Sequence, residues 1–148
     1  MKADGEVVGY NQYDSKKTER KELFKLLRRL IAEGVSKRNI VILSPYKMSN
    51  EKSCLFNAEI PSEIGEIREN EFNILDSDKF IRFYTAQSFK GLEAQVVIYL
   101  DIEGFKSDDE RMLNYVAMSR ARTLSEIFYC HDLEKDRQEM MLKALAIK

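Results

Sequence analysis

Apolar and polar positions alternate along the chain between short continuous runs and longer stretches with helical spacing. Glu6–Tyr10 is the first short apolar run and predicts a strand. Ser15 then offers a helix N-cap, and Leu23, Leu26, Leu27, Leu30 and Ile31 recur at i, i+3, i+4, i+7 and i+8, one apolar stripe on an α-helix. Gly34 is placed to stop it as a C-terminal cap. Asn39–Leu43 follows as a near-continuous apolar run ended by Ser44-Pro45, the pattern of a strand covered on both faces. Ile81–Tyr84 and Gln95–Asp101 predict two more strands, and Leu124–Cys130 a less regular one. Ser107-Asp108-Asp109-Glu110 reads as a capping box before a helix carrying Met112, Tyr115 and Val116, and Leu133–Ala146 reads as a terminal helix. Lys47–Lys79 has no single period; it predicts a helix near Ser49–Ala58 and an irregular acidic stretch after it.

Buried strands alternating with helices define an α/β fold with right-handed crossovers and a mainly parallel sheet. Ligands in such sheets sit outside the carboxyl ends of the strands, so the segments after Leu43, Tyr84 and Asp101 are the first places to look for chemistry.

Length adds one bound: 148 residues fit a single domain, 1–148, with no repeat, low-complexity tract or Gly/Ser linker to divide it. With 44% hydrophobic and 33% charged residues the composition is globular and not disordered. No apolar run approaches the roughly 20 residues of a bilayer span, and Met1–Tyr10 lacks the layout of a signal peptide. Cys54 and Cys130 form neither a disulfide framework nor a metal-ligand spacing, so no metal site and a reducing cytoplasm are expected.

Net charge is −1, which excludes a protein that coats nucleic acid by charge alone. The charges are nevertheless segregated. Met1–Arg38 carries ten Lys/Arg against six Asp/Glu, whereas Asn39–Phe80 carries four against eight, so a local basic groove remains open.

None of the six glycines precedes Lys-Ser or Lys-Thr, and there is no G-x-G-x-x-G, so the chain has no phosphate-cradling loop of its own. His131 is the single histidine, and neither a hydrolase triad nor a zinc site has candidates. Two segments concentrate reactive side chains. Thr85-Ala86-Gln87-Ser88-Phe89-Lys90-Gly91-Leu92-Glu93 packs hydroxyls, an amide, Lys, Gly and Glu after a strand end. It suits a ligand-binding loop, with Glu93 able to accept bonds from sugar hydroxyls, and it equally suits a polar crossover with Lys90 and Glu93 solvated. Leu113–Arg122 is an apolar helix ending in Arg120 and Arg122. An Arg fixed on a helix can stabilise charge on a transferring phosphate, or merely complement the helix dipole.

Taken together the two segments resemble motifs V and VI of superfamily 1 helicases of the UvrD/Rep type. TAQSFKGLE is similar to T-x-H-S-x-K-G-L-E, and LNYVAMSRAR to L-x-Y-V-A-x-T-R-A, in the same order. The strand QVVIYLD between them, IVILSP (Ile40–Pro45) at the position of motif IV, and the lead-in EGVSKRNI extend the resemblance over most of the chain. Gln87 stands where the family usually has His, and Pro45 where motif IV often has Arg. Residues 47–79 hold at most a stub of the large subdomain those chains insert between motifs IV and V.

The resemblance implies a RecA-like three-layer domain that lacks its own Walker A loop and is the C-terminal half of a DNA helicase motor. ATP with Mg2+ would bind only together with an N-terminal RecA-like domain carrying the Walker elements, so this domain alone, a monomer, is expected to be inactive. By motif position Arg120 would be the catalytic arginine finger. Glu93, Gly91 and Lys47 would join it at ATP, with Tyr46 or Lys47 standing in for the motif IV arginine. Thr85, Gln87, Ser88 and Lys90 would meet single-stranded DNA. Two other readings stand beside it. One is a non-catalytic RecA-like module that binds nucleic acid or protein. The other is a nuclease using Glu71, Asp76, Asp78 and Lys79, which lack clear strand placement.

Overall fold

A computed structural model gives the fold and describes residues 7–69, 78–88, 94–102 and 121–130. The elements in chain order are β1 (Val7–Tyr13), α1 (Lys16–Ala32), a 3-10 turn over Lys37–Asn39, β2 (Ile40–Ser44), β3 (Glu66–Glu69), β4 (Phe80–Thr85), β5 (Ala94–Ile102) and β6 (Ala121–Cys130). The six strands make one sheet in the order β1-β6-β5-β2-β4-β3, and every pairing is parallel. All carboxyl ends therefore share one edge of the sheet and all amino ends the other.

Period-two alternation sorts the side chains into two cores. Ile40 and Ile42 of β2, Ile81 and Phe83 of β4, and Val96, Ile98 and Leu100 of β5 face α1 and meet Leu23, Leu26, Leu27 and Leu30. Val41, Leu43, Tyr84, Val97 and Tyr99 face the other way and pack with Ile127 and Tyr129 of β6. All five β2 residues are buried, as expected of a central strand with both faces covered.

Helix α1 begins and ends as its sequence predicts. Ser15 Oγ accepts the Thr18 N–H at 3.1 Å. Gly34 takes φ +93°, and the bonds Gly34 N–H to Ile31 C=O and Val35 N–H to Leu30 C=O close the last turn as a Schellman cap. On the same face of the sheet, Glu126 of β6 lies directly over Gly9 of β1, where a Cβ would meet the carboxylate within 2.3 Å. Asn11 Nδ2 donates to Glu126 Oε2 at 2.8 Å.

The structure departs from the sequence expectation in three places. Ser49–Ala58 is not a helix. Its backbone bonds step by three residues, from Asn50 N–H to Lys47 C=O through Ala58 N–H to Leu55 C=O. Asn50 Oδ1 and Ser53 Oγ accept the N–H groups two residues on, and Asn57 sits at φ +52°. Local side-chain acceptors have outcompeted the helical ladder. Second, the acidic stretch contains β3, an edge strand of which only Ile67 is fully buried; its charged alternate positions are what an edge strand carries, and they hid it. Third, β6 starts at Ala121, so Arg122 belongs to a strand and not to a helix end. The helices expected after Ser107 and over Leu133–Ala146 lie outside the described residues. Among the described residues no helix is long and apolar enough to cross a membrane.

Candidate functional site

After β2 the chain runs on to β3 at one side of the sheet, and after β5 to β6 at the other. The carboxyl ends of these adjacent strands thus flank the point where connections diverge, the place where α/β sheets form a crevice. Here a buried polar cluster fills it. Asp101, 1% exposed, lies where the β5–β6 register shifts, between Tyr99 and Ile102, and adopts φ +61°. Asp is one of the few residues that tolerate the left-handed region, and a bulge re-aims a side chain. The Asp101 carboxylate accepts from Ser44 Oγ at 2.6 Å, the Cys54 N–H at 2.9 Å and Lys16 Nζ at 2.9 Å. Its own N–H donates to Glu19 Oε2 at 2.7 Å. Tyr13 OH donates to the Ile102 carbonyl at 3.2 Å. One residue thereby ties the ends of β2 and β5 to the first turn of α1 and to the turn at Cys54.

Burial first, and the neighbouring Asp101 charge second, raise the Glu19 carboxyl from its ordinary value to about 9. Burial also pushes the Cys54 thiol far up, with the Glu19 and Asp101 charges adding to it. The Glu19, Cys54 and Asp101 ligand atoms lie within 4.8 Å of one another. Their chemistry does not favour a cation, because the Lys16 ammonium already supplies the positive charge at Asp101 and Ser44 Oγ and the Cys54 N–H occupy its carboxylate oxygens. The cluster is a structural hub.

The sign of the linkage follows. Glu19 keeps its proton in the folded state up to about pH 9, whereas the unfolded chain releases it near the ordinary carboxyl value of 4.5. Its contribution is complete below the unfolded value and is lost as pH rises towards the folded one, at up to about 1.4 kcal/mol per pH unit. Glu19→Gln should flatten that part of the stability–pH curve. Urea denaturation from pH 5 to 8 checks this, and parallel wild-type and variant curves would refute it.

Thr85 ends β4, and Gln87 and Ser88 lie in the turn that leaves it at the carboxyl edge. Ala86 N–H donates to the Ser44 carbonyl at 2.9 Å, fastening this turn to the end of β2. Thr85 Oγ1 donates to Ser88 Oγ, and Ser88 Oγ to the Thr85 carbonyl, each at 2.9 Å. Thr85 is half-buried, and Gln87 and Ser88 are exposed. Lys47 is exposed just beyond β2 at the same edge.

Lys90, Gly91, Glu93 and Arg120 lie outside the described residues. Their chain neighbours are informative, since Ala94 follows Glu93, Ala121 follows Arg120, and Ala94 and Ala121 are ladder partners at the amino ends of β5 and β6. β5 has nine residues, so about 26 Å separates its ends at a rise near 3.3 Å per residue. The structure therefore keeps Lys47 with Thr85–Ser88 at one edge, away from the Ala94–Ala121 pair at the other. Of the nuclease candidates, Glu71 and Asp76 are outside the described residues. Asp78 is exposed, and its carboxyl is held below its ordinary value by bonds from Ser36 and Arg38. That is a surface ion pair and not a catalytic carboxylate.

The order of strands, their uniform direction and a helix packed on one face make this an α/β domain of RecA-like type. No protein-family model matches the chain, and no curated protein matches it. Among solved structures it is similar to the C-terminal domain of a possible DNA helicase from Lactobacillus plantarum WCFS1. The two share 18% sequence identity and a TM-score of 0.60 over 86% of this chain and 75% of that one. At that identity the likeness is one of fold.

Proposed function

We propose that this chain is the second RecA-like half of an ATP-dependent DNA translocase of the UvrD/Rep type, completed by a Walker A/B domain. The observation that carries the reading is the register pair Ala94–Ala121. It brings side by side the chain positions that directly follow Glu93 and Arg120, the two residues the motif resemblance assigns to nucleotide. The helicase origin of the structural neighbour supports the same reading.

In this reading the amino edge of β5 and β6 faces nucleotide and the carboxyl edge of β2 and β4 faces DNA. Arg120 places a guanidinium against charge developing on the γ-phosphoryl group. Glu93 accepts bonds from the ribose hydroxyls, and Gly91 allows close backbone approach. ATP with Mg2+, held chiefly by the Walker domain, supplies the phosphoryl chemistry. Thr85, Gln87, Ser88 and Lys90 contact the phosphates and bases of a single strand without reading sequence, and Lys47, expected at ATP from the motif resemblance, is reassigned to this strand because it lies at the same edge as Thr85. Ser88 at the carboxyl edge and Ala94 at the amino edge are six positions apart in the sequence, a short covalent path between the two ligands.

The test is the ATPase rate of the full-length motor with and without single-stranded DNA. Stimulation by DNA, lost in Gln87→Ala, supports the reading. A folded protein with no DNA-dependent turnover would make a non-catalytic binding module the better one.

A further inference from the structure

We propose that the outer face of α1 is a second nucleic-acid contact, a sequence-independent phosphate rail separate from both sheet edges. Helix α1 carries seven Lys/Arg against two Asp/Glu, in a chain whose net charge is −1. Both acids are withdrawn from the outer face, since Glu19 is fully buried and Glu22 is half-buried. Lys16 is turned inward to Asp101, Arg28 pairs with Glu63 at 3.1 Å, and Arg29 reaches Glu126 at 3.9 Å. Among the described residues Lys17, Arg20, Lys21 and Lys25 have no carboxylate partner.

Lys17, Arg20, Lys21 and Arg28, with Phe24, line a shallow depression of about 270 Å³. At 100° per residue these five fall within roughly a 100° arc, and from Lys17 to Arg28 they extend about 16 Å along the axis. Phe24, 8% exposed, is the apolar floor, and the cations form the walls. The depression offers no buried polar group to orient a small molecule. It also offers no apolar anchor for a protein, because the one large exposed hydrophobic among the described residues, Phe56, is not on this helix. A row of cations one helical turn apart, without other chemistry, fits a ligand whose charges also repeat in a row, namely a phosphodiester backbone. The inference goes beyond the motor reading and depends on neither Arg120 nor Glu93.

The probe is a labelled oligonucleotide of about 20 thymidines, titrated with the 148-residue chain by anisotropy from about 50 to about 300 mM salt. Lys17→Glu with Arg20→Glu and Lys21→Glu should weaken binding by at least about tenfold at low salt. It should also reduce the salt slope by about 2, since each phosphate contact to a single strand contributes about 0.7. Lys17→Arg with Lys21→Arg should bind as wild type, which separates charge from shape. Circular dichroism verifies folding of both variants, whose changes are at the surface. Equal affinity and slope in the charge-reversed variant would overturn the rail. So would a folded wild type that ignores the oligonucleotide and a matching duplex, or that binds poly-glutamate instead. Each of these failures leaves DNA-stimulated ATP turnover, the test of the motor reading, untouched.

Discussion

On the proposed function, Arg120→Ala, made in the full-length protein, should lower ATP turnover by about 10³–10⁵ while nucleotide affinity stays within a few-fold of wild type. An arginine finger meets charge that develops only as the phosphoryl group transfers, so its loss falls on kcat and not on ground-state binding. Arg122→Ala is the control. Arg122 is an exposed residue of β6, and its removal should leave turnover near the wild-type rate. Measured kcat and an independent nucleotide Kd decide the matter. Turnover of Arg120→Ala within about tenfold of wild type would show that the charge is stabilised elsewhere.

The second large effect concerns stability. Asp101→Ala should cost about 3–5 kcal/mol, because it leaves Lys16, Ser44 Oγ and the Cys54 N–H without their shared acceptor. Lys16 is one-third exposed and can turn to water, which favours the lower end of that range. Alanine must also hold φ +61°, which costs an L-residue about 1–2 kcal/mol. Asp101→Asn separates these contributions. Asn tolerates the left-handed conformation, so it should lose roughly half as much, through the charge and one acceptor only. Urea denaturation of the three proteins gives the values. A loss below about 1 kcal/mol for the alanine variant would mean that the hub does not hold the strand ends together.

Much of this architecture was legible in the chain because local rules and tertiary demands agree. The i, i+3, i+4 stripe survives from Leu23 to Leu30 as the buried face of α1, with Ile31 only half-buried at its end, and both its caps are set by single residues, Ser15 and Gly34. The runs at 40–43, 81–84 and 95–101 became the central strands because continuous apolar sequence has no stable place except between two covered faces. Where local chemistry and apolar spacing disagreed, the reading failed. Asn50 and Ser53 capped their own turns and dissolved an expected helix, and the charged edge strand at 66–69 carries too little apolar signal to be seen.

The functional residues divide in the same way. Motif spacing alone singled out Thr85–Glu93 and Arg120, since residue types at fixed offsets are a property of the chain. The placement of Thr85–Ser88 at one edge of the sheet and of Ala94 and Ala121 at the other was not, because it depends on strand direction and register. Nor could spacing reveal the hub. Glu19, Ser44, Cys54 and Asp101 are far apart in sequence, Ser44 and Asp101 fall in IVILSP and QVVIYLD without a role assigned to either, and Asp101 resembles an ordinary strand terminus until its left-handed backbone turns it towards α1. The sequence by itself determined the α/β class, the helix α1 and the identity of the candidate chemistry, because periodicity, capping and motif offsets are local. Only the tertiary structure decided which strand ends meet, which charges are buried together and which face of α1 is left to solvent, because these follow from parallel register and packing between distant segments.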